Sequence, residues 1–416
     1  MKNIYLKIIY KVLAFYAKKV IITHNPFVVA ITGSVGKTST KEAVYQVLHD
    51  KYGDSVRKNF GNLNAEIGIP LTILGYNKVP NKFIWPLFLL VAWLRTRVKN
   101  YPKYLVLEMG VEHSGDIEYF CSIVRPNIAI VTSTSAAHLA NFKSEEQFQK
   151  EKISLIDHLK NDGKAIVNYD DANLAKIENE NICSVAINNN TANYRAESIK
   201  LSLSGTEFRI VKTGHKISIK SRLLGNQMIY PQMFAFAVAD IMGFSLIETG
   251  KSLERISPIP GRLNLIEGKD SITIIDDTYN SNPTSAKLAI DFLDQVDYKG
   301  RKVVILGNMN ELGADEKKFH QQIAEYSKNK FEQVVFIGIN SSIMQKECDH
   351  NSLCFKTRKE LIDNLDRILK SNDLVLVKAS QNKNYLEEVV KEIMKDPSLA
   401  REQLVRQSKE WMSKKQ

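Results

Sequence analysis

The chain has 416 residues with 57 Lys and Arg against 46 Asp and Glu, a formal net charge of +11, and 44% of its residues are hydrophobic. That length suggests two or three domains, and the composition excludes disorder, collagen and coiled coil. Four scattered cysteines, Cys121, Cys183, Cys348 and Cys354, include no C-x-x-C pair, which argues against a disulfide framework or structural zinc and suits a reducing cytosol.

The chain opens with Met1–Val20, an apolar run interrupted by Lys2, Lys7, Lys11, Lys18 and Lys19. No small-residue cleavage site follows, so the run reads as an amphipathic surface helix rather than a signal peptide or a membrane span. Phe27-Val28-Val29-Ala30-Ile31 then reads as a buried strand, followed directly by Thr32-Gly33-Ser34-Val35-Gly36-Lys37-Thr38-Ser39-Thr40 and a helical period over Ser39–His49. A strand, a glycine loop and a helix N-terminus make an anion cradle, because backbone N–H groups and the helix dipole both face the phosphate. Lys37 would reach the terminal phosphates and Thr38 would ligate magnesium. Ile31 stands where the first glycine of G-x-x-x-x-G-K-T belongs, so the loop is a shortened variant. A bound nucleoside triphosphate is the expectation.

Phe83–Leu94 is apolar but too short to cross a bilayer of about 30 Å. It reads as a buried helix, with an interfacial anchor as the alternative. Further strands are expected at Tyr104–Glu108, Ile128–Thr132, Ala165–Asn168, Ile272–Ile275, Val303–Leu306, Val334–Ile337 and Leu374–Lys378. Helical patterns fall at Ser285–Val296, Lys317–Lys328 and Arg358–Leu369. This alternation predicts α/β architecture with mainly parallel sheets, and the polar–apolar alternation of Tyr194–Ile219 predicts an antiparallel insert. Ser257-Pro258-Ile259-Pro260-Gly261 marks a boundary, since two prolines stop a helix and a glycine permits a bend. The expected segments are a basic helix at 1–24, a larger domain at 25–256, a smaller one at 257–395 and a basic tail at 396–416 with no assigned task. The excess charge favours anionic lipid or a phosphorylated substrate over nucleic acid, for which no motif is present.

Downstream motifs narrow the reading. Asn62-Leu63-Asn64-Ala65-Glu66-Ile67-Gly68-Ile69-Pro70, Glu108-Met109-Gly110, Gly115-Asp116-Ile117, Asp277-Thr278-Tyr279-Asn280-Ser281-Asn282-Pro283 and Leu306-Gly307-Asn308-Met309-Asn310-Glu311-Leu312-Gly313 follow in order. With the phosphate loop, they resemble the Mur ligase superfamily, in particular the branch that joins D-alanyl-D-alanine to a UDP-N-acetylmuramoyl-tripeptide. The resemblance runs from about Val28 to about Glu387. It implies a P-loop-containing central domain, a Rossmann-like C-terminal domain, and ATP-dependent amide ligation in the cytoplasm through an acyl phosphate. The muramyl-peptide acceptor and D-alanyl-D-alanine are then the partners, with a monomer as the default state.

The resemblance also implies site residues. Gly33, Ser34, Gly36, Lys37, Thr38 and Ser39 hold the phosphates. Thr38, Glu108, His138 and Lys152 hold two Mg2+ ions, with Lys152 carbamylated by CO2. Arg262 reaches the phosphates when the domains close. Asp277 binds the ribose, and Tyr279, Asn280 and Asn282 line the nucleotide cleft. Asn64 and Glu66 lie near the acceptor, and Glu311, His320, Lys378 and Ser380 near the incoming dipeptide. Read without the resemblance, His138 is a loop histidine, Lys152 a solvated charge and Arg262 a surface or hinge charge.

Three departures stand out. About 25 residues precede the first strand, so the family's N-terminal UDP-binding domain is expected to be absent. Met228 replaces the adenine-contacting asparagine in Gly225-Asn226-Gln227-Met228. Asn308, Ala379 and Gln381 replace an acid, a glycine and an arginine, which bears on dipeptide specificity. The alternatives are a ligase for another amine or a lipid-linked acceptor, docked on the inner face of the membrane through its N-terminal helix, and a nucleotide switch without ligation.

Overall fold

The computed structural model describes residues 2–61, 63–80, 85–135, 141–348, 351–381 and 385–415. Two sheets organise them. The first runs β2-β3-β1-β4-β5-β6-β7-β8-β9. Its strands are β1 (Phe27–Thr32), β2 (Val56–Lys58), β3 (Tyr104–Glu108), β4 (Ile128–Val131), β5 (Lys164–Asn168), β6 (Ile182–Ala186), β7 (Tyr194–Ser202), β8 (Gly205–Lys212) and β9 (His215–Ser221). Strands β1 to β6 are parallel, and β1, β3, β4 and β5 are buried on both faces, as their unbroken apolar runs require, whereas β7 to β9 form the expected antiparallel meander. Strand β2 was not legible in the sequence because three residues give no periodicity.

Strand β1 pairs with β3 on one side and β4 on the other, so the chain order reverses around it. Crevices open at such a switch point, beyond the carboxyl ends of the strands. Two of the expected site positions, the phosphate loop after β1 and Glu108 at the end of β3, therefore converge from distant parts of the chain.

The helices here are α1 (Lys2–His24), α2 (Lys37–Tyr52), α3 (Gly68–Ile73), α4 (Trp85–Arg95), α5 (Asp116–Ile123), α6 (Glu145–Ile153), α7 (Ile229–Ile241) and α8 (Leu246–Glu254). Helices α2 and α7 pack on one face of the sheet. On the other, Ile9, Leu13, Ala17 and Val20 of α1 are buried with Val28, Ala30 and Leu105 of the sheet. Helix α1 is therefore integral to this core. Phe83 and Ile84 of the apolar run expected to be a buried helix lie outside the described residues, and the rest of the run is exposed along one side. Trp85 and Ala92 of α4 face inward, but Leu90, Val91 and Leu94 face out, because α4 has packing partners on one side only.

The second sheet, β10-β11-β15-β12-β13-β14, comprises β10 (Asn264–Glu267), β11 (Thr273–Asp277), β12 (Lys302–Leu306), β13 (Gln333–Ile337), β14 (Leu353–Phe355) and β15 (Leu374–Lys378). Only β10 is antiparallel. Helices α9 (Pro283–Gln295), α10 (Glu316–Ser327) and α11 (Ser341–Glu347) cover one face. The other is covered by α12 (Arg358–Ile362), α13 (Leu365–Ile368), α14 (Glu387–Ile393) and α15 (Ala400–Gln403), with α16 (Lys409–Lys415) at the end of the chain. The pattern expected as one helix over Arg358–Leu369 is split at Asp363 and Asn364.

Truncating Leu13, fully buried under the sheet, to Ala should destabilise the first domain by about 2–5 kcal/mol. Urea unfolding checks this; an unchanged midpoint would place α1 outside the cooperative core.

Candidate functional site

Gly33 opens the loop at φ 144°, and a Cβ there would lie 2.0 Å from the Thr132 Oγ1, so glycine alone fits between β1 and the end of β4. The loop is pinned from behind. Ser133 Oγ accepts from the Val35 N–H at 3.0 Å, and the Thr132 hydroxyl donates to the Val35 carbonyl at 2.6 Å. The Lys37 ammonium folds back to the Gly33 carbonyl at 2.7 Å. Burial pushes its pKa down, Glu108 opposes that, and Arg262 adds to it.

The Thr38 hydroxyl donates to Glu108 Oε1 at 3.1 Å, and Arg262 Nη2 donates to the Thr38 Oγ1 at 3.1 Å. Asn64 Nδ2 donates to the same Glu108 oxygen at 3.1 Å. The second Glu108 oxygen has no hydrogen-bond partner among the described residues, although the Lys41 ammonium lies 3.4 Å away. Burial alone would raise the Glu108 pKa, but Lys41, Lys37, Arg262 and Asn64 together hold it below the ordinary carboxylate value. An ionised carboxylate beside a hydroxyl is a hard oxygen donor set, the kind magnesium prefers. The residues therefore fit a magnesium ion held by Thr38 and Glu108. Lys41 was missed in the sequence, although its i,i+4 spacing from Lys37 puts it on the same helix face.

Arg262 crosses from the second lobe, with its guanidinium 4.3 Å from the Tyr279 ring centroid. Asp277 and Lys378 sit side by side at the carboxyl ends of β11 and β15 and pair at 2.6 Å, and Lys378 also donates to the Asn280 carbonyl at 3.1 Å. These residues enclose a cavity of about 240 Å3, lined from one lobe by Ser34–Ser39, Asn64 and Glu108 and from the other by Arg262, Asp277, Tyr279, Asn280, Asn282 and Lys378. A second cavity of about 360 Å3 shares Val35, Gly36, Gln227 and Leu288 with it and continues to Asp170, Asp171 and Tyr230. Gln227 lines both cavities whereas Met228 lines only the first, so Gln227 rather than Met228 offers the amide where the cavities meet.

Lys152 is buried at the end of α6, with Nζ 2.7 Å from the Phe148 ring centroid and no hydrogen-bond partner among the described residues. This overturns the solvated-charge reading. Burial, then the Lys37 charge, pushes the amine down to about 5. Glu151 fixes α6 by accepting from the Gly115 and Ile117 N–H groups at the start of α5. His138 lies outside the described residues.

Other expected residues are placed differently. Glu66 is exposed and does not line the cavity, and its carbonyl accepts from the Tyr119 hydroxyl at 3.3 Å. His320 is fully buried: Nε2 accepts from the Met309 N–H at 2.9 Å, and Nδ1 donates to the Glu316 carbonyl at 2.7 Å. Burial lowers its pKa, which suits this neutral tautomer. Ser380 is also buried, donating to the Ser281 carbonyl at 2.7 Å and accepting from the Asn310 N–H at 3.0 Å. Both side chains therefore hold loops rather than face the cavity. Glu311 is exposed at φ 65°, and its charge reaches Lys37. The Asn282 side chain caps α9, accepting from the Ser285 N–H at 2.8 Å.

Two features were invisible in the sequence. Asp276, fully buried beside the hinge, accepts from the Gly261 N–H at 3.0 Å and the Thr278 hydroxyl at 2.6 Å. Burial pushes its carboxyl up to about 7, against the pull of these donors. The tail also has a task. Arg406 donates to the Tyr279 carbonyl at 3.1 Å and the Thr278 carbonyl at 2.6 Å, and pairs with the buried Glu387 at 2.8 Å, which Lys415 also meets at 2.8 Å.

A glycine loop, a buried acid and an arginine lent by a second lobe define a phosphate-handling, two-lobed α/β protein. Two family models match: the Mur ligase middle domain over residues 31–239, and the Mur ligase, glutamate ligase domain over residues 261–381. The chain belongs to the Mur ligase family. It is 30% identical to the UDP-N-acetylmuramoyl-tripeptide–D-alanyl-D-alanine ligase of Bacillus subtilis over 89% of this chain and 76% of that one. The ligase of the same name from Buchnera aphidicola is 32% identical with the same coverage. Among solved structures, MurF from Thermotoga maritima in complex with ADP superposes with a TM-score of 0.75 at 26% identity, over 89% of this chain and 80% of that one. MurF from Acinetobacter baumannii has a similar fold, with a TM-score of 0.79 at 24% identity over 93% and 80%.

Arg406→Ala would leave Glu387 with Lys415 as its remaining cation and should lower stability by about 1.5–3 kcal/mol, the cost of lost hydrogen bonds to a charged group. Thermal unfolding of this variant, Glu387→Gln and the double variant should give less than additive losses.

Proposed function

We propose that this chain is an ATP-dependent peptide ligase that joins D-alanyl-D-alanine to a UDP-N-acetylmuramoyl-tripeptide in the cytoplasm, releasing ADP and phosphate. The observation that carries the reading is the meeting of Thr38, Glu108 and Arg262 beside Lys37. The named relatives support the choice of substrates.

An oxygen of the tripeptide carboxylate attacks the γ-phosphorus of ATP, and the bond to the ADP oxygen breaks. The amine nitrogen of the dipeptide then attacks the acyl carbon, the carbon–oxygen bond to phosphate breaks, and the nitrogen loses a proton. Both steps crowd negative charge, so the work of the protein is electrostatic. Lys37 and the loop N–H groups face the phosphates, Arg262 meets them from the other lobe, and Asp277 takes the ribose. Magnesium held by Thr38 and Glu108 would supply positive charge, and His138 with a carbamylated Lys152 would hold a second ion. The burial of Lys152 supports this: an amine with a pKa of about 5 is uncharged at neutral pH, the form that adds CO2 and releases a proton. The product is an anion with oxygen donors, where an ammonium would repel a cation.

ADP release with UDP-muramyl-tripeptide and D-alanyl-D-alanine tests the reading. Turnover is expected with this pair; turnover only with another amine would favour the second reading, motivated by the neutral Gln381 on the cavity wall. Lys152→Ala should lose activity and recover part of it with short-chain carboxylic acids, whereas full activity without rescue would remove Lys152 from the metal site. Arg262→Ala should lower kcat by about 10²-fold or more, as for the loss of one preorganised donor to a developing charge.

A further inference from the structure

Residues 1–24 and 67–107 contain eleven Lys and Arg and no Asp or Glu. Elsewhere 46 basic residues offset 46 acidic ones, so these two segments carry the whole net charge of +11. They are neighbours in space, because α1 packs against α3 and α4.

The same segments hold most of the large exposed apolar side chains. Ile8, Phe15 and Ile22 are 56%, 65% and 72% exposed at seven-residue spacing along α1. Lys7, Lys11, Lys18 and Lys19 are exposed between them, while Ile9, Leu13, Ala17 and Val20 face the core. On and just beyond α4, Leu90, Val91, Leu94 and Val98 are exposed together with Arg97 and Lys99. Single exposed apolar residues are unremarkable, but a grouped set rimmed by one sign of charge marks an interaction surface. Arg95 does not belong to it, since its guanidinium donates to the Leu74 and Gly75 carbonyls.

We propose that α1 and the outward side of α4 form a docking face for the surface of an anionic bilayer. Apolar side chains interleaved with lysines suit the boundary between headgroups and acyl chains, where the chains enter hydrocarbon and the ammonium groups meet lipid phosphates. No helix among the described residues is long and apolar enough to cross a membrane, so the face lies on the bilayer rather than through it. A second copy of the chain is the poorer occupant, because two such faces would bring Lys7, Lys11, Lys18, Lys19, Arg97 and Lys99 up against the same cations of the other copy. The proposal is independent of the ligation reading.

Co-sedimentation of the full chain with phosphatidylglycerol-containing vesicles, compared with pure phosphatidylcholine vesicles, tests it without substrate. Binding is expected to the first, to weaken with salt, and to fall roughly fivefold for each of Lys7, Lys11, Lys18 and Lys19 changed to Gln. Phe15→Ser with Ile22→Ser should reduce it by roughly tenfold or more. These side chains point outward, so circular dichroism and urea unfolding should match the unchanged chain. Failure to bind the anionic vesicles, or binding insensitive to both sets of changes, would overturn the proposal. So would a dimer in vesicle-free sedimentation equilibrium that the Phe15 and Ile22 changes abolish.

Discussion

The Thr38 hydroxyl is where the two lobes touch chemically. It donates to Glu108 from β3 and accepts from Arg262 beyond the hinge, so one oxygen ties the phosphate loop, the buried acid and the second sheet together. Lys41, Lys37, Arg262 and the Asn64 amide hold the buried Glu108 carboxyl below the ordinary carboxylate value. Removing a carboxylate from water is costly, and here the opposing charges come from both lobes. Lys41 and Lys37 of the first lobe contribute most to that balance, and Arg262 adds the second lobe's charge to it.

The second lobe reaches that placement through buried polar contacts rather than apolar packing alone. Asp276 holds the hinge at Gly261, where a Cβ would meet the Tyr279 N at 3.0 Å and the Val405 side chain at 2.9 Å. Ser380 and His320 staple the loops after β11 and β12, and Arg406 returns from the tail to hold Thr278 and Tyr279. Directional bonds fix loop positions more narrowly than apolar contacts do, and Tyr279 in turn supports the Arg262 guanidinium.

The first lobe divides its labour between the two faces of its sheet. Helices α2 and α7 cover one face, beside the cleft, and α1 and α4 the other. Because α1 and α4 have packing partners on one side only, their outer sides remain free to carry charge and apolar surface without disturbing the site.

Much of this was legible in the chain itself. Continuous β-branched runs identified the parallel strands, and the G-K-T loop placed a phosphate site at β1, because both signals are local and set by backbone geometry. The contacts that join positions far apart in sequence were not legible. Arg262 meets Thr38 across 224 residues, Arg406 meets the loop at Thr278, and Lys152 is sealed under Phe148 although its neighbours spell an exposed charged helix. Local pattern reports how each segment prefers to fold, but burial and charge pairing depend on what the fold brings alongside. The chain alone therefore determined its central strands and the chemistry of its loop. Only the tertiary structure decided that Glu108 is held ionised, that His320 and Ser380 support rather than face the cavity, and that the tail braces the hinge.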